Sequence, residues 1–357
     1  MFIPDTVLDH VRAVTDEPDL AGTKYRLLRR VGRGGMASVY LVEDTELGRE
    51  VALKVSSAAG GSELCARLRR EAQVIARLEH PGIVPVHDVG ELPDGRVFYV
   101  MKLVKGQRLD EWLRPAPPLR AVLRLFQRIC EAVAFAHAHG VVHRDLKPEN
   151  LMVGEFGEAL VMDWGIAKEL ATGSGASGEG EASPPDEAAA LAATLPAGTP
   201  TATAQGTVIG TPSFMSPEQA SGDVRAVDAR SDVYALGAIL YFLLTGRPPH
   251  TGTRAEEILA SVRNAAPVPV RSVAPAVPRA VASICAMAMA RDSAARYSTA
   301  ADVADDVGRF LDELPVVAHR ETLVERATRF VSRHRVILSL LAVYVVVRLL
   351  LALFAGS

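Results

Sequence analysis

Residues 143–150 read HRDLKPEN and gather His143, Asp145, Lys147 and Asn150 into one short stretch, with Asp163 following in VMDWG. Two carboxylates and an amide converging from neighbouring loops suit a bound Mg²⁺, which takes hard oxygen ligands; Mn²⁺ is the alternative occupant. Upstream, VGRGGMASVY (31–40) contains Gly32 and Gly34, which let backbone N–H groups approach phosphate oxygens closely. Lys54 lies inside the apolar run EVALKV, where a charge is costly unless paired, and Glu71 is its natural partner. Each feature has a plainer reading. The glycines also fit a hairpin turn, Lys54 an edge position facing water, and Asp163 a β-turn.

Different elements must position these residues. From Tyr25 to Val104 the pattern is strand-rich, with β-branched runs such as EVALKV and RVFYVMKLV bounded by Gly and Asp. One helix interrupts it over 63–78, where Leu64, Leu68, Ala72, Ile75 and Leu78 fall near helical spacing. After PAPP (115–118) the chain turns helical, and the first helix closes at Gly140. Helices resume from about Ser216 to Leu311. Between them, 171–205 has four acidic residues and no basic or aromatic one, so it is expected to be disordered. Residues 1–22 form a polar lead-in, with a short helix expected over 6–14.

Composition narrows the function classes. Hydrophobic residues at 49% and charged residues at 23% describe a globular chain with a sizeable core. A net charge of −3 argues against nucleic acid as a partner. Cys65, Cys130 and Cys285 are too scattered for a disulfide framework or a closely spaced metal site, which points to a reducing compartment. The first residues lack the apolar core of a secretory signal. Residues 336–355, VILSLLAVYVVVRLLLALFA, are long and apolar enough to cross a bilayer, with Arg348 as the one charge, able to snorkel. A buried helix of the folded domain is the competing reading. Arg326, Arg329, Arg333 and Arg335 precede this segment, so the positive-inside rule expects the folded part on the cytoplasmic face of a single-pass span.

The ordered set GRGGMASV, VALK, Glu71, HRDLKPEN, DWG, GTPSFMSPEQ, DVYALG and Arg296 resembles the protein kinase superfamily, most closely the bacterial serine/threonine kinases of eukaryotic type, over roughly 24–312. The resemblance implies an α+β, two-lobed kinase fold with a β-rich N-lobe (23–104) and a helical C-lobe (105–312). A juxtamembrane linker (313–335) and a C-terminal transmembrane helix (336–355) would follow. It implies ATP and Mg²⁺ as cofactors and protein substrates as partners. Lys54 would hold the α- and β-phosphates and Glu71 would hold Lys54. Asp145 would orient the substrate hydroxyl and accept its proton, Lys147 would steady the γ-phosphate, and Asn150 and Asp163 would bind the metal. The loop Val31, Gly32, Arg33, Gly34, Gly35, Met36, Ala37, Ser38 and Val39 would cover the nucleotide. Ala52 would roof the adenine with Val39, Met152 would lie beneath it, and Met101 to Val104 would supply gatekeeper and hinge.

The chain departs from the family pattern at Ala37, where a third glycine is usual, at Lys102 in the hinge, at Trp164 after the metal-binding aspartate, and at SPE in place of APE. Trp164 reads as an aromatic exchange or as a shift in the balance of active and inactive forms. By the same resemblance Thr211 would position a Ser or Thr hydroxyl and Glu218 would pair with Arg296. Thr203 and Thr207 are candidates for activating phosphorylation in trans within a transient homodimer. A catalytically dead scaffold would lack Lys54, Asp145 or Asp163, and a small-molecule kinase would lack GTPSFMSPEQ; all are present.

Overall fold

The computed structural model describes residues 17–34, 37–58, 62–164, 168–169, 211–223, 225–322, 325–327, 338–341 and 343–348. The N-terminal lobe is a five-stranded antiparallel sheet in the order β1 (Tyr25–Arg33), β2 (Ala37–Asp44), β3 (Arg49–Ser56), β5 (Val97–Lys102), β4 (Val86–Glu91). Among the described residues one helix, α1 (Glu63–Ala76), packs on it.

Register decides which residues can meet. Val39 lies opposite Lys54, Lys54 opposite Tyr99, and Ala52 opposite Met101. Directly opposed residues share a face of a sheet, so these five side chains all point to one side. Ala52, Tyr99 and Met101 there join the core shared with α1 and the second lobe. The alternate residues Tyr40, Val42, Leu53, Val55, Phe98 and Val100 form a separate small core on the other side. The strand pattern thus aims Lys54 at the junction of the lobes.

The second lobe is mostly helical. It opens with β6 (Gly106–Arg108), α2 (Leu109–Leu113) and α3 (Leu119–Ala138). Residues Val122, Phe126, Ile129, Val133 and Ala136 of α3 are buried at three- and four-residue spacing, the stripe of a helix packed along one side. Gly140, at φ 76°, then turns the chain sharply into β7 (Val141–Val142). A small sheet of β6, β8 (Leu151–Gly154) and β9 (Ala159–Val161) follows, and β10 (Lys168–Glu169) pairs back onto β7.

After α4 (Pro217–Ala220), helix α5 (Ala229–Thr245) is buried continuously from Ser231 to Tyr241 and forms the centre of the lobe. Around it lie α6 (Ala255–Asn264), α7 (Val270–Val273), α8 (Arg279–Ala288) and α9 (Ala300–Leu311). Gly237 lets α8 close onto α5: a Cβ there would come within 2.6 Å of Met289 Cγ and 2.8 Å of Ala288 Cβ.

The expected β-rich and helical lobes are both present. Within α1 the buried face differs from the apolar reading, because it carries Glu71 and Cys65, with Leu64 only half-buried and Leu78 buried beyond the helix end. Glu71 is drawn inward by Lys54, which apolar spacing does not register. The chain after α9 is tied to the lobe: buried Asp306 accepts from the Tyr297 hydroxyl at 2.6 Å and from the Val317 and Ala318 amides at 2.6 and 3.0 Å.

Among the described residues no helix is long and apolar enough to cross a membrane. The segment expected to span lies partly outside them; its described residues 338–341 and 343–348 are helical, with exposed apolar side chains at Leu340, Leu341 and from Val343 to Val347. The helix expected over 6–14 and the disorder expected over 171–205 lie outside the described residues.

Candidate active site

Lys54 of β3 is the hub. Its Nζ donates to Glu71 Oε1 of α1 at 2.8 Å and to Asp163 Oδ1 at 2.7 Å, so one cation joins the sheet, the helix and the second lobe. Burial opposes its charge, yet Tyr99, Glu71 and Asp163 together raise its pKa above the ordinary lysine value. Burial pushes the Glu71 carboxyl up while Lys54 pulls it down, and the balance leaves it raised. Asp163 goes the other way: burial would raise it, but the contact with Lys54 holds its carboxyl below the usual range.

The catalytic-type loop is held from several sides. The His143 and Arg144 amides donate to Asp232 of α5 at 2.7 and 2.8 Å, and His137 Nε2 lies 2.8 Å from the same carboxylate. Burial would raise the Asp232 pKa; the bonds from His137 and His143 outweigh it and keep the carboxyl low. Gln219 Nε2 donates to the Arg144 carbonyl at 2.7 Å. Held in this way, Arg144 adopts φ 68°, and Asp163 adopts φ 62°. Left-handed backbone at such residues persists only where the surroundings over-determine it, and it marks functional loops.

Within the loop, Lys147 Nζ donates to Asp145 Oδ2 at 2.6 Å. Asn150 Nδ2 donates to the Asp145 carbonyl at 2.8 Å and to Asp145 Oδ2 at 3.2 Å. The His143 ring accepts from the Asp145 amide through Nδ1 at 3.2 Å, so its Nε2 is the donor to the Met162 carbonyl at 3.0 Å. The Met162 amide donates to the Asn150 carbonyl at 2.9 Å. Met162 is therefore clamped by both His143 and Asn150, which sets Asp163 beside the loop.

The donor set fits Mg²⁺. The Asn150 side-chain nitrogen is committed to Asp145, which leaves its carbonyl oxygen as an acceptor, and the Met162 amide ties the Asn150 backbone to the residue before Asp163. Among the described residues no cluster of three or more His, Cys, Asp or Glu could cage a metal unaided. Mg²⁺ does not need one, since it keeps waters and binds through one or two protein ligands plus phosphate oxygens.

The remaining expected residues fall into place unevenly. Val39, Ala52 and Met101 share the cleft face of the sheet, and Met152 on β8 packs half-buried against the same core as Val39 and Val104. Val31, Gly32 and Arg33 end β1, the Gly34 amide donates to the Ala37 carbonyl at 2.8 Å, and Ser38 continues β2; Gly35 and Met36 lie outside the described residues. Thr211 begins a short 3₁₀ turn (Thr211–Phe214), but its side chain, like Thr203 and Thr207, lies outside them too. Glu218 meets Arg296 through two bonds of 2.7 and 2.8 Å, as expected.

Two contributors escaped the sequence reading: Tyr99, whose hydroxyl donates to Glu71 at 2.8 Å, and His137 beneath the loop; its partner Asp232 was marked only as the first residue of DVYALG, with no role given to it. An acidic residue entering the apolar helix SDVYALGAILYFLL was the available signal for Asp232. Trp164 is fully buried, its ring centroid 4.5 Å from that of His143.

Residues 25–306 match the protein kinase domain family. The chain is 37% identical over 316 residues to the probable serine/threonine-protein kinase PknB of Bifidobacterium longum (strain NCC 2705), covering 84% of this chain and 41% of that protein. It is 36% identical over 307 residues to the serine/threonine-protein kinase PrkC of Bacillus subtilis (strain 168), covering 85% and 43%. Against the serine/threonine-protein kinase pkn2 of Myxococcus xanthus the identity is 36% over 293 residues, covering 79% and 32%. The chain thus spans less than half the length of these relatives.

Proposed function

Because this chain belongs to the protein kinase family, we propose that it transfers the γ-phosphate of ATP to serine and threonine hydroxyls of protein substrates. The observation that carries the reading is Lys54, held by Glu71 at 2.8 Å and reaching Asp163 at 2.7 Å at the junction of the lobes. Lys54 binds the α- and β-phosphates, and Glu71 keeps its ammonium in place. Asp145 orients the acceptor hydroxyl and takes its proton, while Lys147, now 2.6 Å from Asp145, carries positive charge to the γ-phosphate. Asn150 and Asp163 would hold Mg²⁺, which when bound neutralises charge spread over the phosphate oxygens. The glycine-rich loop from Val31 to Val39 covers the phosphates, and Ala52, Met101, Val104 and Met152 enclose the base. Thr211 places the acceptor. Little covalent work falls to the protein in such a transfer; positioning and electrostatics supply the rate.

Three further parts of the reading rest on sequence. Thr203 and Thr207 are the activating phosphorylation sites, modified in trans within a transient homodimer. Residues 336–355 anchor the chain in a membrane with the catalytic lobes on the cytoplasmic side; the exposed apolar side chains of Leu340, Leu341 and Val343 to Val347 support this. The linker over 313–335 joins the lobe to that anchor.

The test is autophosphorylation of the full chain in detergent with Mg²⁺ and labelled ATP, beside Lys54→Met and Asp145→Asn, with labelled residues mapped by mass spectrometry. Label that is absent from both variants and sits on Thr203 or Thr207 is expected. A folded, ATP-binding chain that incorporates no label would favour a scaffold instead.

A further inference from the structure

We propose that Tyr99 is a positioning residue for phosphoryl transfer: its hydroxyl fixes the Glu71 carboxylate, and Glu71 in turn fixes Lys54. The inference rests on the phosphoryl-transfer reading above and deepens it. Tyr99 stands on β5 directly across from Lys54 on β3, with both side chains on the cleft face of the sheet. Its hydroxyl donates to Glu71 Oε1 at 2.8 Å, the same oxygen that accepts Lys54 Nζ at 2.8 Å. Lys54 Nζ also lies 5.6 Å from the centroid of the Tyr99 ring. Tyr99 is 1% exposed and Glu71 5%, so water cannot readily replace the Tyr99 hydroxyl as a donor to this carboxylate.

Lys54 divides its donors between Glu71 and Asp163, and in catalysis it must also serve phosphate oxygens. An ammonium on a flexible stem holds a carboxylate weakly when it has several claimants. A buried Glu71 left with that contact alone would go short of donors whenever Lys54 reached into the cleft, and a buried carboxylate without donors is costly. Tyr99 removes that dependence. Its hydroxyl keeps Glu71 satisfied and in one rotamer from the opposite strand, so α1 stays docked while Lys54 changes partners. A phenylalanine would fill the same space and lack only this bond. If Tyr99 were merely a core aromatic, its hydroxyl would have no bearing on how tightly ATP is used.

The experiment is a double-mutant cycle on the full chain, reading initial rates of autophosphorylation at varied Mg·ATP for the unmodified chain, Tyr99→Phe, Glu71→Ala and the double variant, with melting temperatures in parallel. Tyr99→Phe is expected to lower kcat/KM for ATP about tenfold, the worth of a hydrogen bond to a charged group, chiefly through KM. In the Glu71→Ala background the same change should leave the rate within about twofold, because two residues acting through one another are not additive. Two results would overturn the inference while the unmodified chain remains active: a Tyr99→Phe rate within about twofold of the unmodified chain, or an equal drop in both backgrounds. An unmodified chain that incorporates no label overturns the phosphoryl-transfer reading itself, and this inference with it.

Discussion

Lys54 and Arg296 are both cations paired with glutamates inside the fold, yet they are built in opposite ways. Arg296 has a fully buried side chain and spends every donor. Nη1 and Nη2 grip Glu218 at 2.7 and 2.8 Å, and the same atoms with Nε reach the carbonyls of Arg230, Arg291 and Ala290 at 2.9, 3.2 and 2.7 Å. Ser231 adds a bond to Glu218 at 2.7 Å, and the Tyr234 ring centroid lies 5.0 Å from the guanidinium. Lys54 instead contacts two carboxylates on different lobes, and Asp163, one of the two, has a side chain 49% exposed to the cleft. A planar fork with fixed donors suits a permanent tie; a compact ammonium on a long stem suits a contact that must be exchanged. The Arg296 knot fastens α4 to the large lobe, whereas the Lys54 knot joins two lobes through a partner it can release.

The sharpest way to break this contrast is to remove each cation. Arg296→Met should destabilise the fold by about 3–5 kcal/mol, the cost of leaving a buried partner unpaired, as read by denaturant unfolding. Lys54→Met should reverse the pattern: transfer falls by about 10²–10³-fold or more, the scale for losing a positioned electrostatic donor, while the melting temperature barely moves. A loss of stability in Lys54→Met as large as that in Arg296→Met would dissolve the distinction.

Asp232→Asn probes the support beneath the catalytic loop. The amide would set an N–H against a donor now accepted by the carboxylate, at a cost of about 1–3 kcal/mol. A fall in kcat with little change in KM for ATP is expected on the proposed function, in which the loop handles the acceptor and Lys54 the nucleotide. Acid sharpens the comparison further. Burial works to raise Glu218, but Arg296 and Ser231 hold its pKa below the ordinary value. Its contribution to stability is therefore complete above the ordinary glutamate range and lost as pH falls through the depressed folded value. Glu218→Gln should flatten the acid side of the stability curve relative to the unmodified chain, as followed by melting between about pH 5 and pH 2. The smallest effect belongs to Trp164→Phe. The buried indole packs on His143, and trading it for a smaller ring should cost less than about 1.5 kcal/mol and leave the transfer rate nearly unchanged.

Legibility followed the distance along the chain over which each feature is built. Asp145, Lys147 and Asn150 sit in one loop, so their types and order announced them; the hydrogen bonds among them stay within five residues. Lys54 stood out because a charge inside an apolar strand demands a partner, and Glu71 was near enough to guess. Tyr99 reads as another β-strand aromatic until the β3–β5 register sets it opposite Lys54. Asp232 meets the His143 amide across 89 positions, and Gln219 meets Arg144 across 75, contacts that only the packed large lobe creates. The apolar spacing of α1 was a fair guide to a helix but a poor one to its buried face, because Glu71 is held inward by charge rather than by hydrophobicity.

The most direct test exchanges one cation for the other at the hub. Lys54→Arg in the full chain keeps the charge but replaces the ammonium with a fork too wide to serve Glu71, Asp163 and phosphate in turn. Transfer from Mg·ATP should collapse while the melting temperature stays near that of the unmodified chain. A Lys54→Arg chain that transfers phosphate at the unmodified rate would show that charge alone suffices there, and that the exchangeable contact has no part in the chemistry.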